Sequence, residues 1–339
     1  MQASDATTLR SWVQKFEGCV VGVLGDLVTD EFIYGDINRV SREAPVLILD
    51  EMRRVIVPGG AANSVANLRA LGARPKPVGI VGQDEAGRAL LAKLRESSIS
   101  TASIFRSADY ATPAKSRVLA GGVHTRRQQV VRIDRGQPRG ELSTKSGREL
   151  DRRLATALKG CQGLLIADYG YGAASPTSKL IRRIERLRRK GLPVTVDSRE
   201  RVTQFRGVSI CSPNQEELEG ALGAGPIADA EIDVAAKRLL RRTGNDAILV
   251  TRGAQGMSLA QPRKAVQSIP AWGSDEVADV TGAGDTVIAT LTLALIAGAP
   301  WIDAARLANY AAGIVVTKMG TATVTPDELI EAINEDHRS

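Results

Sequence analysis

Short apolar runs alternate with amphipathic segments over most of the chain. After a predicted helical segment at about 7 to 17, the apolar run "CVVGVLGD" ends in a glycine turn and "GGAANSVANLRALG" follows with a helical pattern. The alternation returns after residue 160, where "GLLIADY" and "PVTVD" flank "KLIRRIERLRRKG". Continuous apolar strands between amphipathic helices are typical of a parallel sheet with helices on both faces. The pattern therefore predicts a three-layer α/β/α domain with a mainly parallel central sheet.

Two segments break this alternation. Residues 44 to 57 and 113 to 134 have the pattern of antiparallel strands with polar turns and no helix between them. Such strands can form a small accessory sheet, which we expect as a lid over the crevice at the carboxyl ends of the central strands. No linker rich in Pro, Gly or Ser is present. We therefore expect one domain over 1–339, with β lid segments inserted at about 36–58 and 112–135.

The composition excludes several classes of function. Of 339 residues 43% are hydrophobic, and much of the net charge of +7 lies on amphipathic helices. Only 4% of the residues are aromatic, which disfavours nucleic acid as a partner. Two histidines make Ser-His or Cys-His catalysis improbable, and the three cysteines lie singly in apolar runs. The longest apolar segment, 287–302, is too short and polar for a membrane span, so a cytoplasmic protein without membrane contact is expected.

The stretch "TGAGD" carries the strongest chemical signal. Gly282, Ala283 and Gly284 allow a tight turn, and the helix that begins there presents unpaired N–H groups to an anion. Asp285 then lies in the first turn, where its carboxylate can take a proton from an attacking hydroxyl. Asp is also a good helix cap. These residues alone leave the two interpretations of Asp285, as a catalytic base or as a cap, evenly balanced.

Other polar residues also follow predicted strands. Asn214 and Glu217 lie three apart after a strand, where they can either approach a hydrated magnesium ion or cap a helix. Asp26 and Asp30 follow the first strand, and carboxylates and amides there can bind sugar hydroxyls. The remaining candidates are Thr251, Gly253 and Gly256 for close contact with a nucleotide, and Gly59, Gly60 and Asn63 at a helix start for the sugar.

With these motifs in the same order and spacing, the chain resembles the PfkB or ribokinase-like carbohydrate kinases from about residue 8 to 334. The motifs are "GGAAN", "NQEE" and "DVTGAGD". The resemblance implies a ribokinase-like fold, ATP and Mg²⁺ as cofactors, and an ATP-dependent carbohydrate kinase as the enzyme class. It implies Asp285 as catalytic base, Gly282, Ala283 and Gly284 as the anion hole, Asn214 and Glu217 near Mg-ATP, and Asp30, Gly59, Gly60 and Asn63 on the sugar. It also implies a monovalent-cation (K⁺) loop at Asp279 and Thr281, and Asn309 near the adenine.

Within that family the chain resembles the heptose 7-phosphate kinases. The stretches "SREAPV", "RRQQVVRID" and "DVTGAGDTVIATL" carry this likeness. It implies phosphorylation of O1 of D-glycero-D-manno-heptose 7-phosphate to the 1,7-bisphosphate, in a kinase domain without the nucleotidyltransferase domain of some relatives. The chain departs from those enzymes at Tyr171, where they usually carry Lys, and at Ser198 and Arg199, where they carry Pro and Lys. These departures bear on the identity of the sugar.

Two alternative functions stay open from the sequence. The substrate can be another sugar or sugar phosphate, such as ribose or a ketohexose, or the chain can be a binding regulator without turnover. The absence of G-x-x-x-x-G-K-[ST] excludes a Walker-type kinase. Strand alternation places Arg126 and Arg132 on one face of the lid, as candidate partners of a substrate phosphate or as solvated charges. Exposed lid edges predict a homodimer.

Overall fold

A computed structural model describes residues 5–121, 128–136, 142–273 and 278–338. Its larger sheet contains nine strands in the order β13-β12-β11-β10-β9-β8-β1-β4-β5. The strands from β11 to β5 in that order are parallel to one another. Strand β12 pairs antiparallel with β11, and β13 pairs antiparallel with β12. The bounds are Val20–Gly25 (β1), Arg74–Gly82 (β4), Ile104–Ser107 (β5), Gly163–Asp168 (β8), Val194–Ser198 (β9), Ile210–Cys211 (β10), Ala247–Thr251 (β11), Met257–Ala260 (β12) and Gln267–Ile269 (β13).

Helices cover both faces of this sheet. Successive residues of β8 show why: Leu165 and Ala167 pack into one hydrophobic core, and Leu164 and Ile166 pack into the other. One core takes the apolar faces of Ala6–Gln14 (α1), Ala61–Ala70 (α2), Glu85–Glu96 (α3), Ala283–Ile296 (α8), Trp301–Val316 (α9) and Pro326–Asp336 (α10). The other takes Thr144–Ala157 (α4), Ser178–Arg189 (α5), Gln215–Leu222 (α6) and Ile232–Thr243 (α7). The predicted α/β/α layers are confirmed.

A second sheet has four strands in the order β3-β2-β6-β7. They are Leu27–Val40 (β2), Leu47–Gly60 (β3), Ala114–Gly121 (β6) and Gln128–Arg135 (β7). Residues 47–60 form one long strand that pairs with β2, which starts two residues after β1. The pattern had placed antiparallel strands within 44–57, but their partner lies earlier in the chain. Polar side chains interrupt the sequence of β2, so this strand shows no continuous apolar run.

The long apolar run of residues 287–302 begins in α8, a central helix that is buried on most of its surface. Ten of its residues are buried, because it packs against α9, α2 and the central sheet. Among the described residues, no helix is both long enough and apolar enough to cross a membrane. The cytoplasmic location stays a prediction.

Candidate active site

A cavity of about 350 Å³ lies between the small sheet and the carboxyl ends of the central strands. It is lined by residues at the ends of the four central strands β8, β9, β10 and β11 or in the loops after them, at the start of α8 and in the small sheet. It brings together predicted residues from distant parts of the chain: Asp30, Gly60, Arg132, Asn214, Glu217, Thr251, Thr281, Gly282, Gly284 and Asp285. The crevice was expected at this edge of the sheet, since ligands of open α/β sheets bind there.

Asp285 is 3% exposed and is held by three hydrogen bonds. Its Oδ1 accepts from the Tyr169 hydroxyl at 2.7 Å and from the Ser64 hydroxyl at 3.0 Å. Its Oδ2 accepts from Asn63 Nδ2 at 3.0 Å. A carboxylate oxygen has about two lone-pair positions, so Oδ1 is saturated and Oδ2 keeps one for an incoming hydroxyl.

Burial raises the pKa of Asp285 to about 6, and the hydrogen bonds from Asn63, Tyr169 and Ser64 oppose that rise. The negative charge of Asp30 adds to it. A carboxyl whose pKa lies near the working pH is suited to accept and release a proton. The carboxylate faces the cavity and does not cap its own helix, because no side-chain cap bond is present at the start of α8.

The turn before Asp285 leaves two donors open. The N–H of Ala283 donates to Val280 O at 3.3 Å, but the N–H groups of Gly284 and Asp285 have no acceptor within the described residues. Gly282 has φ of +83°, and a Cβ there would lie 2.5 Å from Asn63 Nδ2. The predicted anion hole therefore has free donors at Gly284 and Asp285, with Gly282 and Ala283 forming the turn that aims them.

The residues predicted for the sugar lie where the small sheet meets α2. Asp30 lines the cavity and is paired with Arg117 at 2.5 Å. A Cβ on Gly59 would come within 2.2 Å of the Asp30 carboxylate, so glycine leaves room for it. Gly60 lines the cavity, whereas Asn63 lies behind it and contacts Asp285. Asn63 thus orients the carboxylate, and a contact to the sugar stays a prediction.

Asp26 has a different position from the one expected. It is fully buried, and its carboxylate accepts the backbone N–H groups of Tyr169, Tyr171 and Ala173 at 2.8 to 3.0 Å. Burial and the nearby charge of Asp168 raise its pKa to about 6. Asp26 does not line the cavity. It fixes the loop after β8, and with it Tyr169, rather than facing the sugar.

Asn214 and Glu217 form a capping box at the start of α6. The Asn214 side chain accepts from Glu217 N at 2.8 Å, and Glu217 Oε2 accepts from Asn214 N at 2.9 Å. Both also line the cavity, so capping does not remove them from it. Burial raises the pKa of Glu217, and burial with the Glu217 and Asp285 charges raises the pKa of Asp197. A cation near Asp197 and Glu217 would relieve their repulsion.

Two buried hydroxyls in the cavity wall lack partners. Ser212 Oγ and Thr321 Oγ1 have no hydrogen bond within the described residues. Buried polar groups are normally paired, so these hydroxyls are expected to bind a polar ligand. Among the described residues no group of three His, Cys, Asp or Glu side chains is placed to hold a metal.

Besides Asp26, Gly59, Asn63 and Ala283, four predicted residues of the described part of the chain lie outside the lining of this cavity. Asp279 accepts from Thr281 N at 2.9 Å and Gly320 N at 3.1 Å, and so ties two turns together. Gly253 and Gly256 lie at the turn before β12. Asn309 lines a neighbouring cavity, where its Nδ2 donates to Pro270 O at 2.9 Å. Arg126 is outside the described residues.

Nine lining residues are not among those that the sequence predicts for the site, and Arg199 is the one of them at which the chain departs from the heptose 7-phosphate kinases. They are Val28, Lys115, Arg117, Tyr169, Asp197, Arg199, Ser212, Val280 and Thr321. Tyr169 directly follows β8, so its place at a strand end was available as a signal. The three positions at which the chain departs from the heptose 7-phosphate kinases have different surroundings. Arg199 stacks on the Tyr169 ring at 4.5 Å and lines the cavity, whereas Tyr171 is buried and Ser198 donates to Asp168. Only Arg199 is placed to affect the ligand directly.

The sequence matches the family model described as pfkB family carbohydrate kinase over residues 27–147 and 172–328. The chain belongs to this family. Membership makes it an ATP-dependent carbohydrate kinase, and a sugar and ATP are its ligands. The family's matched region contains the cavity residues from the small sheet, α6 and α8.

The chain is similar to several bacterial proteins over nearly its whole length. The bifunctional protein HldE of Trichlorobacter lovleyi is 40% identical over 98% of this chain and 67% of the relative. That of Caulobacter sp. is 40% identical over 97% of this chain and 66% of the relative. The chain thus spans about two thirds of the length of these relatives.

Solved structures show the fold. Arabidopsis thaliana ribokinase complexed with ribose and ATP aligns with a TM-score of 0.69 at 17% identity, covering 94% of this chain and 99% of that one. Escherichia coli phosphofructokinase-2 in complex with potassium aligns with a TM-score of 0.73 at 16% identity and the same coverage. The ribokinase-like fold is confirmed.

Proposed function

We propose that the chain transfers the γ-phosphoryl group of ATP to O1 of D-glycero-D-manno-heptose 7-phosphate. The new bond joins O1 to Pγ, the bond from Pγ to the bridging oxygen of ADP breaks, and the O1 proton goes to Asp285. The products are the 1,7-bisphosphate and ADP. The likeness to HldE proteins over nearly the whole chain supports this substrate.

The observation that carries the proposal is the environment of Asp285. Its carboxylate is buried and oriented by three donors, and Oδ2 keeps a lone pair toward the cavity. The free N–H groups of Gly284 and Asp285 lie beside it, where charge develops on the transferred phosphoryl group. A base next to an anion hole is the arrangement that phosphoryl transfer to a hydroxyl requires.

On the nucleotide side, we propose that Asn214 and Glu217 lie near Mg-ATP. The residues present fit Mg-ATP, because the Asp197 and Glu217 carboxylates and the unpartnered Ser212 hydroxyl all lie on the cavity wall formed by the central strands. Magnesium would neutralise phosphate charge there. Thr251 lines the same wall, and Gly253 and Gly256 follow it. Asn309 would lie near the adenine and would position the segment at Pro270, to whose carbonyl oxygen its side chain donates a hydrogen bond.

A monovalent cation is a second proposed ligand. Asp279 and Thr281 lie in the turn that leads to the anion hole, and the Asp279 carboxylate joins that turn to Gly320. The E. coli phosphofructokinase-2 structure with potassium concerns a protein of the same fold. A K⁺ ion near this turn would stabilise the conformation that presents the Gly284 N–H.

We also propose a homodimer through the small sheet, which would act as a lid. Several large apolar side chains of its strands and connecting turn are exposed: Val40, Val46, Leu47, Met52, Val130, Val131 and Ile133. Apolar patches of this kind mark interfaces. Light scattering on the purified protein should give twice the chain mass of 36.0 kDa. A monomer at micromolar concentration would contradict the dimer.

The substrate is tested by an ATP-consumption screen with D-glycero-D-manno-heptose 7-phosphate, fructose 6-phosphate, ribose and fructose. We expect the highest kcat/KM with the heptose 7-phosphate and a phosphorus NMR signal for an anomeric phosphate in the product. Faster turnover of ribose or fructose would replace this assignment by the alternative, a pfkB-type kinase for another sugar. Phosphorylation at a position other than O1 would refute the proposed chemistry at that atom.

A further inference from the structure

The cavity-facing side of the small sheet carries charges of both signs. In the strand register Asp30 lies opposite Lys115, Lys115 opposite Asp134, and Arg117 opposite Arg132. Residues opposite each other in a sheet share a face, as do residues two apart in a strand. Lys115, Arg117 and Arg132 are therefore three cations on one face, and all three line the cavity.

Two of these cations already have carboxylate partners. Arg117 Nη1 lies 2.5 Å from Asp30 Oδ1, and Arg132 Nε lies 2.9 Å from Asp134 Oδ1. The ammonium group of Lys115 forms no hydrogen bond or ion pair within the described residues, although the residue is half-buried. Burial and the positive charge of Arg199 lower its pKa, and the charges of Asp30 and Asp134 only partly oppose this fall. A half-buried ammonium group next to a second cation is costly unless an anion joins them.

Arg199 is the second cation. It follows β9, on the opposite wall from the small sheet, and its guanidinium group stacks on the Tyr169 ring instead of pairing with a carboxylate. No ion pair to Arg199 is present among the residues that the structure describes. A planar guanidinium group held on an aromatic ring keeps its N–H edges free for phosphate oxygens.

We infer that Lys115 and Arg199 together bind the terminal phosphate of the sugar substrate, one from each wall of the cavity. This inference rests on the proposed function and names the residues that make the enzyme select a sugar phosphate. It moves the phosphate site from Arg126 and Arg132, which the strand pattern suggested. Arg132 is a neighbour whose charge is already balanced by Asp134.

The location favours the substrate's own phosphate over those of ATP. Lys115 lies opposite Asp30 in the strand register, on the side of the cavity formed by the small sheet. The residues proposed for the nucleotide, Asn214 and Thr251, follow central strands on the other side. A phosphate bound by Lys115 therefore lies beside Asp30, where the sugar is proposed to bind. Arg199 would contact this phosphate from the opposite wall, where it follows a central strand as the nucleotide residues do.

The test compares Lys115→Met and Arg199→Gln with wild type. Each change removes one charge and keeps much of the side-chain length. Loss of a charge-assisted hydrogen bond should raise the KM for the heptose 7-phosphate about 10- to 100-fold. The KM for ATP should change less than about 3-fold by the same reasoning, because the nucleotide does not use these groups. Arg199→Lys should recover most of the lost affinity, since it restores the charge.

Arg53→Met is the matched control, because Arg53 is an exposed cation of the same sheet that stacks on Tyr34 outside the cavity. It should leave the KM for the sugar phosphate unchanged. Thermal melting of each variant shows that it is folded. The unphosphorylated heptose is a second substrate, and the ratio of kcat/KM for the 7-phosphate to kcat/KM for the unphosphorylated heptose should fall about 10- to 100-fold in the Lys115→Met and Arg199→Gln variants.

The outcomes separate the two proposals. Wild-type turnover of heptose 7-phosphate with an unchanged KM in both variants would overturn this inference and leave the proposed function standing. An equal loss of kcat on both substrates, with a raised KM for ATP, would also overturn it and assign these cations to the nucleotide. A wild-type enzyme that uses only unphosphorylated sugars would overturn both proposals.

Discussion

Replacing Tyr169 by Phe should move the pH dependence of catalysis toward higher pH. The hydroxyl of Tyr169 donates to Asp285 Oδ1 at 2.7 Å and lowers the pKa of that carboxyl against the effect of burial. Phe keeps the ring under Arg199 but removes the donor. The ionised carboxylate then loses one of its three stabilising hydrogen bonds, so its pKa must rise from about 6.

The size of the shift follows from that hydrogen bond. A bond to a charged acceptor contributes about 1.5 to 3 kcal/mol, and one pKa unit corresponds to about 1.36 kcal/mol, so the rise is about 1 to 2 units. Asp285 accepts a proton only when it is ionised. At pH 7 the ionised fraction would fall from about nine tenths to between about one half and one tenth. Near pH 9 variant and wild type should have similar rates.

The assay is kcat/KM for the sugar phosphate at saturating Mg-ATP from pH 5 to 9. Ser64→Ala removes the other donor to Oδ1 and should shift the acid limb in the same direction. Tyr110→Phe is the control, since its hydroxyl donates to Tyr171 O and not to Asp285. An acid limb that stays in place in Tyr169→Phe, with a rate lowered equally at all pH values, would refute the reasoning.

Three further predictions concern residues of the site and its support. Asp285→Asn should lower kcat by about 10² to 10⁴ while ATP binding, measured by calorimetry, persists; turnover within tenfold of wild type would reduce Asp285 to a structural residue. Glu217→Gln should raise the Mg²⁺ concentration needed for half-maximal rate and leave the melting temperature unchanged, because Gln also completes a capping box; an unchanged magnesium titration would contradict the metal role. Asp26→Ala should lower the unfolding free energy in urea by about 3 kcal/mol or more, since three buried N–H groups lose their acceptor; a loss below about 1 kcal/mol would show that water replaces it.

The layered fold could be predicted because its signal is local. Apolar strands and amphipathic helices each occupy a contiguous stretch, and the buried faces of α5 and α7 follow from their periodicity. The pairing of β2 with β3 could not be predicted in this way. Much of β3 is exposed and β2 carries charged side chains, so neither strand shows a continuous apolar run.

Within the site, residues in short motifs were predictable and their partners were not. The glycines before Asp285 lie next to it in sequence, so their role follows from the turn that they form. Ser64 and Tyr169 reach Asp285 from positions 221 and 116 residues away, and only the fold brings them together. For Asp26 the sequence predicted a contact with the ligand that the structure does not show. A polar residue directly after a strand is typical of a binding site, but the carboxylate of Asp26 accepts three backbone N–H groups instead.

Two of the points at which the chain joins the small sheet to the core lie side by side. Leu27, the first residue of β2, pairs with Gly60, the last residue of β3, and Gly60 directly precedes the helix that carries Asn63 and Ser64. Both of those side chains hold the Asp285 carboxylate. We call the paired residues Leu27 and Gly60 the root of the small sheet. A tilt of the sheet about this root would move the start of α2 and therefore change the orientation of the Asp285 carboxylate. Substitutions at the root should consequently alter kcat and KM together, even though the root residues perform no chemistry.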